Sequence, residues 1–202
     1  PRAHFFEGLH TDVEVALDAA LAVLAEITSS QTEVRVPVHE DTTVFKVEIY
    51  AYHRENARRS PELYQPDTLE RIQNGANVDA PTYMEARRRI DELRRRAGEI
   101  FHKVDLLVTP TTVVPPFETS VAQTHEELRA LELGTLRNTR PFNALGLPAL
   151  SVPCGFTGGG LPIGLQITGP PGGEAGVLAL GHAYQQCTDW HRRRPVGVAT
   201  ER

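Results

Sequence analysis

Five serines, at 29, 30, 60, 120 and 151, and two lysines, Lys46 and Lys103, are the stock from which a serine nucleophile with a lysine base could be drawn. A hydroxyl attacks only with a base beside it, and a lysine serves as base only when burial or neighbouring charge frees its lone pair. Ser29 and Ser30 are adjacent, but they follow a helical stretch and have no glycine cradle, while Lys103 closes a charged helix. Neither setting is that of a nucleophile and its base. Cys154 with one of eight histidines is the thiol alternative, yet it stands in an apolar run where a free cysteine acts as a small hydrophobe. The histidines are scattered singly, with no H-E-x-x-H or C-x-x-C, so neither a metal nor another cofactor is expected. Gly158 to Gly160 lacks the G-K-[ST] ending of a phosphate loop and reads as a turn.

That turn belongs to the most informative stretch, Thr139 to Thr168. Pro148 and Pro153 bracket the short apolar run Ala149 to Val152, which reads as a buried strand. After the glycines, Ile163, Leu165 and Ile167 alternate with Gly164, Gln166 and Thr168. Period two on either side of glycines predicts a β-hairpin.

Elsewhere helices and strands intersperse, which favours an α/β architecture. Thr11 with Glu14 forms a capping-box pattern for a helix over 11–28, with Val13, Leu17, Ala20, Leu21, Leu24 and Ile27 on one face. A strand is expected at Val34 to Val38, a helix over Asp41 to Arg59, and a turn at Pro61 to Pro66. Asp67 is placed to cap a short helix ending at Gly75, and Asp79 to cap a long one from Ala80 to about Val104. The polar face of the long helix is rich in arginine, but Asp91 with Arg95 and Glu92 with Arg96 stand at i,i+4 and offset it. Asp105 to Thr109 reads as a strand ended by Pro110, Thr124 with Glu127 as a second capping box, and Glu174 to Trp190 as the last helix.

The chain has 202 residues and an ordinary soluble-domain composition, and its formal net charge of −5 argues against a nucleic-acid surface. No apolar run is long enough to span a membrane. Two cysteines make no disulfide framework, and with no secretory signal the expectation is a cytoplasmic protein. The sequence opens Pro1-Arg2-Ala3 and Met84 is its only methionine, so a processed start or a longer polypeptide is expected.

The pattern N-x-x-G-x-P-A-[IL]-S-V-P-C-G, met from Asn143 to Gly155, followed by G-L-P-[IV]-G-L-Q-I from Gly160 to Ile167, resembles the C-terminal half of the amidase signature family. V-x-V-P at Val34 to Pro37, R-I-x-x-G at Arg71 to Gly75 and D-L-L-V-T-P-T at Asp105 to Thr111 extend the likeness over most of the chain. The resemblance implies an α/β fold, part of a mixed β-sheet flanked by helices with the N-terminal catalytic portion absent, and residues 1–202 as the C-terminal portion of one domain. It implies hydrolysis of a small-molecule amide to a carboxylate plus ammonia or an amine. The family's Ser-Ser-Lys triad lies ahead of the matched region and neither of its motifs occurs here, so the chain alone is expected to be inactive, with the N-terminal half of the same enzyme, or a second copy of itself, as partner.

The resemblance places the loop after Pro110 and the segment entering the hairpin at the substrate, which makes Thr111, Thr112, Thr139, Arg140, Phe142 and Asn143 candidates for binding it. Arg140 is suited to a carboxylate or carbonyl, and equally to a structural ion pair; Asn143 is suited to substrate, and equally to tying the turn before Gly146. The family's glutamine-dependent transamidation subunits carry an acidic residue three before the threonine matched by Thr139. Here that residue is Leu136, which disfavours ammonia delivery from glutamine. Two rival readings remain: a stand-alone binding or assembly module derived from the family, and an unrelated hydrolase using Cys154.

Overall fold

The computed structural model describes residues 1–121 and 124–194; the rest of the 1–202 span lies outside the described residues. The chain divides into two compact units, one made of Pro1–Val38 with the chain from Arg96 onward, the other of His39–Arg95.

In the first unit the expected hairpin forms the sheet. Strands β1 (Leu107–Pro110), β2 (Ala149–Phe156) and β3 (Pro162–Thr168) lie in the order β1-β3-β2, antiparallel throughout. The turn closes with Thr157 N–H donating to Leu161 O at 2.8 Å, and Gly160 takes φ +80°, open to glycine at little cost. β2 continues beyond the expected Val152 to Phe156, with Pro153 inside it. An edge strand or a bulge tolerates that: among the described residues β2 pairs with β3 alone, and its register slips between Pro153 and Gly155.

Ile163, Leu165 and Ile167 face helices α1 (Thr11–Ile27) and α7 (Glu174–Cys187), and with Val13, Leu17 and Tyr184 they make a core of nearly unexposed side chains. The other face of β3 carries Gly164, Gln166 and Thr168. Between β1 and β2 in the chain come α5 (His125–Leu136), opened by the expected capping box of Thr124 and Glu127, and α6 (Arg140–Leu145). No helix is expected at α6 from the sequence. Pro141 in its first turn and Gly146 at φ +69° beyond its end delimit it.

Several expectations are corrected. The α1 capping box does not form: His10 is the N-cap, its ring Nδ1 accepting from Asp12 N–H at 3.2 Å, and Thr11 is already helical. Val34–Val38 is not a strand. Val34 and Val36 are half-buried and Arg35 exposed, so the alternation holds, but a strand needs a ladder partner and none stands beside it among the described residues. β1 starts at Leu107 rather than Asp105. α7 stops at Cys187, where Thr188 turns its Oγ1 back to Tyr184 O at 2.9 Å, and Trp190–Arg192 form a separate 3-10 turn.

The second unit holds α2 (Thr43–Arg59), α3 (Pro66–Gln73) and most of α4 (Ala80–Arg96). The helix expected over Asp41 to Arg59 is present. The R-I-x-x-G segment acquires a physical reason: Ile72 is buried, and a Cβ on Gly75 would lie 2.1 Å from Lys46 O, a separation no side chain could occupy. Gln65 stands at the N-cap position of α3 without a side-chain capping bond and Asp67 is already helical, while Asp79 caps α4 as expected, its Oδ1 accepting from Thr82 N–H at 2.7 Å. α4 ends at Arg96 and tightens into a 3-10 turn, Ala97–His102, around the poor helix former Gly98. Its ion pairs also differ from expectation: Asp91 binds Arg87 at 3.1 Å and Glu92 pairs with Arg95. All are solvent-exposed and of small energetic weight. No helix among the described residues is long and apolar enough to cross a membrane.

Cys154 is 1% exposed in the core, and burial pushes its thiol up to about 12. Truncating Leu165, wholly buried on β3, to alanine should cost about 2–5 kcal/mol of unfolding free energy. Leu178→Ala, at a site 61% exposed on α7, should stay within about 0.5 kcal/mol; urea unfolding followed by circular dichroism separates the two. The Cys154 thiol stays neutral in the folded chain but ionises in the unfolded one, so stability is fully present below the unfolded value of about 8.5 and declines as pH rises towards 12. Urea midpoints should therefore fall between about pH 9 and about pH 11, and Cys154→Ala should flatten the fall. Iodoacetamide at about pH 8 should modify exposed Cys187 and spare Cys154 until the chain is unfolded.

Candidate functional site

The six candidate binding residues fall into two groups around the end of β1. Thr111 leaves β1 with its N–H donating to Gly164 O at 2.9 Å, and its Oγ1 meets Ser151 Oγ at 2.7 Å. Thr112 turns its hydroxyl to Val114 O at 2.7 Å. Thr111, Thr112, Ser151 and Gly164 line a cleft of about 400 Å³. The second group sits on α6 and its entrance. Thr139 is the N-cap by position, but its Oγ1 donates to Leu136 O at 3.2 Å instead of capping. Arg140 is half-buried and Asn143 exposed. Phe142 is 1% exposed and stacks on Phe5, ring centroids 5.1 Å apart, so its ring is part of the packing under the loop. The cleft brings Thr111 and Thr112 together with Ser151 and Thr135; Thr139, Arg140, Phe142 and Asn143 are not among its lining residues.

Between the groups lies a buried polar cluster that residue-by-residue reading does not find. Asn138, with no exposed surface, donates from Nδ2 to Phe5 O at 3.0 Å and to Pro110 O at 2.9 Å. Its own carbonyl accepts from Gln166 Nε2 at 3.2 Å, and the same nitrogen donates to Thr109 Oγ1 at 2.9 Å. One side chain and one carbonyl thus tie the start of α6 to the end of β1, to β3 and to the N-terminal turn. Arg137 reinforces the last link by donating to the carbonyls of His4, at 2.6 Å, and Glu7. The available signal is Gln166, an amide between the apolar Leu165 and Ile167, because a buried polar side chain must find partners. Its partner at 138, some 28 residues away, carries no pattern of its own.

Ser29, Ser30 and Lys103 line another groove, of about 520 Å³, beside the end of α1. All three are exposed, so the lysine lacks the burial that activates such a base. Cys154 is buried and held neutral, unsuited to attack. Among the described residues no group of three His, Cys, Asp or Glu side chains could hold a metal ion.

Comparison with known proteins supplies the kinship of this chain. A family model described as Amidase matches residues 2–178. An amidase of Pseudomonas putida is 34% identical over 96% of this chain and 43% of its own length. A glutamyl-tRNA(Gln) amidotransferase subunit from Chloroflexus aggregans is also 34% identical, over 96% of this chain and 45% of its own. Among solved structures, a crystal structure of an amidase superposes with a TM-score of 0.74 at 25% identity, over 93% of this chain and 44% of that one. The chain spans less than half the length of the relatives it matches. A match of that extent, on a chain whose hairpin carries the signature residues at their spacing, shows that this protein belongs to the amidase signature family.

Proposed function

We propose that this chain is the C-terminal portion of an amide hydrolase acting on linear carbon–nitrogen bonds, converting a carboxamide to a carboxylate plus ammonia or an amine. The observation that carries the reading is the family match over residues 2–178 in a sequence without the Ser-Ser-Lys motifs. On this reading residues 1–202 are part of one domain, contributing the sheet, its helices and part of the substrate pocket. The nucleophile and its base come from the N-terminal half of the same enzyme, and the cytoplasm is the compartment that two unpaired cysteines favour. Thr111 and Thr112 contact substrate from the cleft, while Thr139, Arg140 and Asn143 shape its approach from the start of α6, on packing that the buried Phe142 ring supplies.

The amidase and the amidotransferase relatives are equally similar, so the choice between simple hydrolysis and transamidation rests on a residue. Leu136 stands where the transamidation subunits carry an acid, and it is 41% exposed. Hydrolysis is the better fit.

Losing a nucleophile in a hydrolase of comparable logic costs about a million-fold in turnover. The 202-residue chain incubated with acetamide, benzamide and a fluorophosphonate probe should give neither ammonia nor labelled serine. Stoichiometric labelling of any of its serines overturns the proposal. Apolar surface left by a divided domain should also make the isolated chain self-associate or retain the missing half; a monodisperse monomer in sedimentation velocity counts against that part.

A further inference from the structure

On the sheet face turned away from α1 and α7, two hydroxyls meet over the central strand. Thr111 follows β1, Ser151 lies on β2, and their oxygens are 2.7 Å apart across Gly164 of β3. A Cβ at 164 would come within 2.8 Å of each oxygen, so only glycine lets them join. The pair floors the 400 Å³ cleft, which is otherwise lined mainly by Pro115, Pro116, Pro153 and Pro162 with Val114. Among the described residues, none that lines the cleft is charged. Arg140 is outside it.

The chemistry of that lining is restrictive. One hydroxyl hydrogen is spent between the partners, leaving a single O–H donor with open lone pairs, enough to answer one neutral polar group. Proline rings and aliphatic side chains suit an apolar body. A carboxylate or ammonium placed there would exchange water for apolar walls with no counter-charge, a desolvation cost that nothing in the cleft offsets.

We propose that this cleft is a subsite for an uncharged, apolar substituent of the amide substrate, with the Thr111–Ser151 hydroxyl pair hydrogen-bonding a neutral polar group beside it. The inference rests on the amidase reading and deepens it by naming the substrate class, neutral amides, and by assigning Ser151 a binding role. If the pair merely fastened β2 to the loop after β1, its loss would change stability and leave selectivity alone.

The test uses the complete polypeptide encoded by the reading frame that contains this chain. Matched amides probe either side of the scissile bond: hexanamide against the monoamide of adipic acid, and acetanilide against 4-acetamidobenzoate. In at least one pair the neutral member should have kcat/KM at least about tenfold higher. Ser151→Ala should raise KM for that member about threefold to tenfold, the worth of one hydrogen bond, with kcat within about twofold and an unchanged unfolding midpoint. Thr112→Lys, which puts a cation on the cleft wall, should shift the ratio towards the carboxylate member by at least about tenfold. No preference in either pair, or a ratio that Thr112→Lys leaves unmoved, overturns the subsite while the amidase reading stands. If no amide is hydrolysed the amidase reading falls, and calorimetry with hexanamide then judges the cleft alone: binding weakened by Ser151→Ala supports it, and equal or absent binding overturns it.

Discussion

The alternation along β3 is the constraint on which the first unit depends. It is the one strand paired on both sides among the described residues, so its backbone hydrogen bonds are committed in both directions and its two faces are fixed. A slip of one residue would send Ile163, Leu165 and Ile167 to the polar side and Gln166 into the hydrocarbon core. At roughly 1.5–3 kcal/mol for each large aliphatic side chain buried, that exchange outweighs anything the turn or the exposed ion pairs could return. The register is therefore set by burial, and the glycines of the turn only permit it.

The same constraint arranges the polar side. Because Gln166 must point away from α1 and α7, it needs partners on the opposite face, and it finds Thr109 on β1 and the carbonyl of Asn138. Leaving such a buried amide unanswered would cost about 1–3 kcal/mol, so the start of α6 is held close to β3. Asn138 then passes the restraint to Pro110 O and Phe5 O. The loop bearing Thr111 and Thr112 and the segment bearing Thr139 to Asn143 are thus positioned by one cluster of buried amides, though they face different spaces.

What could be read from the sequence follows the range of the interaction concerned. The hairpin, α2, the Asp79 cap and the Thr124 capping box depend on residues within a few positions of one another, and all are present. The α1 start differs by one residue because His10 and Thr11 compete as neighbouring caps and the imidazole accepts the bond. Val34–Val38 has a strand's alternation and, among the described residues, lacks a strand's neighbour, which no local pattern reveals. α6 escapes sequence reading because at six residues it has too few apolar repeats to show a period. The arginine pairs differ from expectation because exposed carboxylates compete, as Glu48 and Asp91 both do for Arg87, and no burial chooses among them.

Binding groups and reacting groups also leave different traces. The hydroxyl pair of Thr111 and Ser151 joins the residue after β1 to β2 across β3, and its one sequence mark is Gly164, a small residue flanked by Ile163 and Leu165. Alternation alone would accept any polar residue at that position. The requirement that two oxygens meet above the strand accepts none with a Cβ, because the nearest approach would be 2.8 Å. Gly164 is thus a residue whose identity the alternation leaves open and the meeting of the two hydroxyls decides.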